Sequence, residues 1–200
     1  MILNALRPTL SSTTRWPGLS RDDAAAAAEW ALLLGLGAVA TCCGAFLELG
    51  LRIPGHAILY SVLPTAAGLA LVPRRGAALV VSAGALVTAG VLRLAHVGEL
   101  PIAAIVGLAS LGPALELAAA KSRPGPTFYA AFAVAGAAAN LVVYGVRWLT
   151  FFAAGEVVSA KPFAQLGWRG AASFVACGLV AGLLGAALGF RSRPRETQDR

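Results

Sequence analysis

Two histidines, His56 and His96, and three arginines, Arg52, Arg93 and Arg147, fall in or beside short hydrophilic breaks in an otherwise apolar sequence. Imidazole and guanidinium groups donate hydrogen bonds that complement carboxylates, phosphates and polar carbonyls. His56 belongs to the stretch RIPGHAILYSVLP (52–64), which packs a cation, a histidine, a tyrosine (Tyr60) and two prolines into thirteen residues. Asn140, Tyr144 and Trp148 recur every four residues in NLVVYGVRW, so one helical face carries a polar and aromatic stripe. An amide deep in an apolar run must find a partner, which marks Asn140 for a site more than most residues. Aromatic walls with a few convergent polar groups are the composition of a small-molecule pocket. The plainer alternative is that Trp and Tyr anchor at a membrane interface while the loop charges sit in water.

Other chemistries find no support. There is no G-x-x-x-x-G-K-[ST] loop to cradle a nucleotide, and no H-E-x-x-H or C-x-x-C for zinc or dithiol chemistry. GLASLG (107–112) places its serine at the wrong offset for a nucleophile elbow. Cys42 and Cys43 are adjacent, so on a helix they diverge by about 100° and cannot pinch a metal; with Cys177 they read as small packing residues. The expectation is a non-enzyme without metal or cofactor.

The elements that would position these groups follow from composition. Hydrophobic residues make up 58% of the chain and charged residues 12%. That places it among helical membrane proteins. Stretches free of Asp, Glu, Lys and Arg cover 30–47, 53–73, 76–92, 100–115, 124–146 and 170–190. Each, alone or with its flanks, is about the ~20 residues a spanning helix needs, the third and fourth being shortest. The expected fold is an all-α bundle of six transmembrane helices at 27–191. A loosely ordered tail (1–26) precedes it and a basic tail (192–200) follows.

Lysine and arginine set the orientation. With both termini cytoplasmic, eleven of them lie inside and five outside. The net charge of +7 is then mostly topology and not a nucleic-acid footprint. The site residues collect at the outer end, where the 149–168 connection is expected to close as a lid. Arg52, Arg93 and Arg147 outnumber Glu48 and Glu99 there, favouring an anionic solute. Glu116, near the inner end of the fourth helix, is expected to snorkel or pair with Lys121 or Arg123.

Small residues suggest helix contacts. Gly178, Gly182, Gly185 and Gly189 form one face of the sixth helix, and Ala27, Ala31 and Gly35 repeat every four residues on the first. Both stripes are candidate surfaces for partner helices, the alternative for the glycine face being packing inside the chain's own bundle.

Six helices in about 200 residues, an outward site and small-residue spacing on the first helix resemble the substrate-binding S components of energy-coupling-factor (ECF) transporters. GHAILYSVLPTAAGLALVPRRGA and GPALELAAA are similar in character to that family's second and fourth helices. The resemblance implies capture of a vitamin-like solute from outside, in a bacterial cytoplasmic membrane. A separate transmembrane T component and two ATPases would supply the energy, with the family's small-residue contact to the T component falling on Ala27 and Ala31, or Ala31 and Gly35. Relatives specific for cobalt and nickel carry a histidine beside the initiating methionine; Ile2 stands there in this chain, favouring an organic ligand. The rival expectation is a membrane scaffold or assembly subunit that docks partner helices through its Gly and Ala faces.

Overall fold

A computed structural model describes residues 21–47, 54–98, 100–122, 125–153 and 167–190. Among the described residues there are six helices and no strand: α1 (Arg21–Phe46), α2 (Ile58–Leu71), α3 (Ala77–Leu94), α4 (Ile102–Lys121), α5 (Pro126–Ala153) and α6 (Trp168–Phe190). α1 begins six residues before the expected boundary at 27, because Ala24–Ala28 are the strongest of helix formers.

Five helices are long and apolar enough to cross a membrane, and the exception is α2, with 14 residues. At 1.5 Å per residue α2 is about 21 Å long, against a hydrocarbon core of about 30 Å. The shortfall therefore lies in the second helix and not in the expected third and fourth. Its cause is local. Residues 54–57 of the apolar run form a turn, with Gly55 at φ 88°, and Val72 turns extended ahead of Pro73.

The helices close a ring in the order α1, α3, α4, α5, α6, α2 and back to α1. α2 also touches α3, α4 and α5, so the shortest helix meets all five others. Its Val62, Ala66 and Leu69 are buried accordingly. α5 and α6 share the largest interface, and a β-carbon at Gly182 would fall on the backbone of Phe132 and Ala133. Gly178 meets Ala137 in the same way, while Gly185 and Gly189 face Val62 and Ala66 of α2. Of the two expectations for the glycine face, packing inside the chain's own bundle is the one the structure shows. α1 meets α3 through Gly37 and Gly84 rather than through the predicted stripe. Ala27, Ala31 and Gly35 are exposed, and a β-carbon on Gly35 would touch nothing within 4 Å.

Polar groups stitch the elements together. Thr41 donates to the carbonyl of Ala85 at 2.8 Å, joining α1 to α3. The Glu116 carboxylate accepts from the backbone N–H groups of Gly76 (2.6 Å) and Ala78 (3.1 Å). It thus caps the start of α3, a role not among those expected for it; Arg123 lies outside the described residues. The capping geometry puts a negative charge where unsatisfied N–H groups and the helix dipole favour it. Arg74 pairs with Glu29 at 3.0 Å at this same end of the bundle.

Candidate functional site

The two ends of the bundle differ. Where α5 begins and α6 stops, the rings of Phe128, Phe132 and Phe190 interlock, with centroids 4.6 to 5.5 Å apart, and Phe132 is fully buried. Aromatic packing of this density fills the space between helices. At the other end the space is open. A cavity of about 480 Å³ lies between the last turns of α1, the start of α2, the start of α4, α5 and the start of α6. It occupies the depth that α2 is too short to fill.

The wall nearest the opening of α2 is built by the turn at 54–57. Gly55 adopts its left-handed conformation against Asn140 and Phe174, where a β-carbon would lie 3.0 Å from both. Ser173 donates to the carbonyl of Pro54 at 2.8 Å, and Cys177 makes a longer contact to it at 3.7 Å. Asn140 donates from Nδ2 to the carbonyls of Gly55 (3.1 Å) and Phe174 (2.7 Å). The amide, 2% exposed, therefore ties the turn to α5 and α6. With both N–H groups committed, its carbonyl oxygen is what it can still offer, an acceptor on the cavity wall.

Three of the predicted residues line the cavity together: His56, Asn140 and Arg147. His56 is half-buried and meets the edge of the Tyr60 ring, with centroids 6.5 Å apart. The Arg147 guanidinium lies over the face of Phe174, 5.6 Å from the ring centre, a cation–π contact. The remaining candidates stand elsewhere. Tyr60 is behind His56 and not among the lining residues. Tyr144 packs on Phe174 (5.4 Å between centroids) and its hydroxyl donates to Gly167 at 3.3 Å. Trp148 is 45% exposed and packs at a tilt against Phe152. The four-residue stripe thus divides, Asn140 facing inward and Trp148 outward, because α5 presents only part of its circumference to the cavity. Arg93 and His96 are exposed at the end of α3, which contributes nothing to the lining. His96 there takes φ 53°, a left-handed value few non-glycine residues adopt. Arg52, Glu48, Glu99 and residues 154–166 of the expected lid lie outside the described residues.

The chain matches no protein-family model, no curated protein and no solved structure.

The apolar side of the site was not visible beforehand. Ala40, Gly44, Ile58, Ala104 and Phe174 line it, and nothing distinguishes such residues from packing residues in the sequence. Thr41 and Ser61 add hydroxyls to the wall. Ser61 sits within the RIPGHAILYSVLP stretch, whereas Thr41 carried no signal. Among the described residues no three His, Cys, Asp or Glu side chains come together in a way that could hold a metal ion.

Proposed function

We propose that this chain is a multi-pass membrane protein that captures a small organic solute at the outer face, as the substrate-binding S component of an ECF-type importer. The observation that carries the reading is the cavity: about 480 Å³, apolar on most sides, with His56, Ser61, Asn140 and Arg147 in its wall. Ligand sites commonly fall between 300 and 1,000 Å³ with that mixture of lining. The aromatic plug at the opposite end supports a capture role over a continuous pore. The free stripe of Ala27, Ala31 and Gly35 is consistent with docking of α1 on a T component, the ATPases acting through that partner. That same stripe is what the scaffold reading retains, since the glycine face of α6 is already occupied.

Native mass spectrometry of the protein purified from membranes tests the proposal. A co-purifying molecule should be seen on the wild type and be lost when the cavity is filled by Ala104→Trp. An empty wild type, from cells grown in rich medium, would favour the scaffold reading.

A further inference from the structure

Among the described residues the cavity's charge is one-sided. Arg147 is the only permanently charged side chain among the described lining residues, and none of those residues is a carboxylate. A guanidinium contacting an aromatic face keeps most of its N–H donors available for an incoming acceptor. The start of α4 forms the wall at Leu100, Pro101 and Ala104, and that helix has no side-chain cap. The N–H of Ala104, the lining residue of its first turn, is bonded to the carbonyl of Pro101, so this wall adds mainly apolar surface. Deeper in, Asn140 has only an acceptor left to offer. It precedes Arg147 by seven residues on α5, about 10 Å along the axis.

We propose that the cavity selects a small organic anion. Its acidic head meets Arg147, and its apolar body points inward, carrying a hydrogen-bond donor toward Asn140. This rests on the cavity being a ligand site and adds the charge, polarity and direction of what enters it. The same head group can reach the site on a free solute or on an anionic lipid, and the two sources are separable.

The probes are 4-phenylbutyrate, 4-phenylbutyramide and 4-phenylbutylamine, which share one body and differ in head charge. Binding is read by tryptophan fluorescence and by thermal shift, using the full chain in neutral detergent. The expected result is that the butyrate binds about tenfold or more tighter than the other two, as a charge-assisted contact provides. Arg147→Gln should bring the three to near equality, and Arg147→Lys should restore part of the preference. Ala104→Trp, with Ser61→Phe as a second filling variant, should remove binding altogether. Butyrate binding that is competed in nanodiscs of phosphatidylglycerol but not of phosphatidylcholine assigns the anion to lipid; indifference to both assigns it to a free solute. Equal binding of the three probes to wild type, abolished by either filling variant, overturns the anion preference and leaves the site standing. Binding that survives both filling variants, or no binding of any probe, overturns the site and the preference together.

Discussion

Replacing Asn140 by alanine removes one hydrogen bond from each of the carbonyls of Gly55 and Phe174 and unties the turn at 54–57 from α5 and α6. Each intramolecular hydrogen bond lost costs about 0.5–1.5 kcal/mol. Asn140→Ala should therefore lower the melting temperature as well as weaken ligand binding, and Asn140→Asp should not rescue it, since an acid offers at most one donor. Thermal melts in detergent read this directly. His56→Ala removes a half-buried wall group and should weaken ligand binding about 5- to 150-fold with little change in melting temperature. Calorimetry with the co-purified ligand measures that difference. The need of Asn140 for a partner was legible in the sequence, because an amide in the middle of an apolar helix is costly alone. Its partners were not. They are backbone carbonyls 85 and 34 residues away, and side-chain spacing carries no sign of where a carbonyl points.

Between elements, close backbone approach decides which substitutions the bundle accepts. Gly182→Leu would force a side chain into the backbone of α5 and should abolish folded protein in size-exclusion profiles, whereas Leu183→Ala, on an exposed position, should be tolerated. On α1 the matched pair is Gly37→Leu, which meets Val81 and Ala85 of α3, against Gly35→Leu, whose β-carbon meets nothing within 4 Å. Should Gly35→Leu leave the isolated protein's melting temperature unchanged but abolish co-purification of partner subunits, the exposed stripe is a docking face. Glu116→Gln keeps the size of the cap and removes its charge, for an expected loss of about 0.5–2 kcal/mol in thermal or chemical unfolding. The helices and the glycine periodicity were readable from hydropathy and spacing. Which glycines serve as internal contacts was not, because a four-residue repeat looks alike whether its neighbour is another helix of the same chain or a foreign one. The turn at 54–57 was announced by Pro54 and Gly55, but apolar flanks disguised how much of the second run it consumes.

The exposed aromatic rings define two levels on the whole molecule. On α5, Tyr129 and Trp148 are 38% and 45% exposed and nineteen residues apart, about 28 Å along the helix and close to one hydrocarbon thickness. Trp30 near the start of α1 and Trp168 at the start of α6 add an exposed ring toward each end. Interfacial belts place tryptophan at headgroup depth, so with the other tryptophans replaced by phenylalanine, Trp148 should be quenched more strongly by lipids brominated near the headgroup than by those brominated near the tail end. In the intact chain, reporter insertions after residue 74 and after residue 123 are expected to read cytoplasmic and those at 155–165 external; the opposite result would turn the cavity toward the cytoplasm. The shortness of α2 reaches beyond the finished fold to its making. A segment of about 21 Å is a weak candidate to lodge in a bilayer unaided, and the five helices it touches include four that emerge from the ribosome after it. Chains truncated just beyond Arg75 and fused to a reporter should thus divide between the two faces of the membrane, while lengthening the chain through α6 should restore one orientation. The helix that leaves room for a ligand would be the last to commit to the membrane.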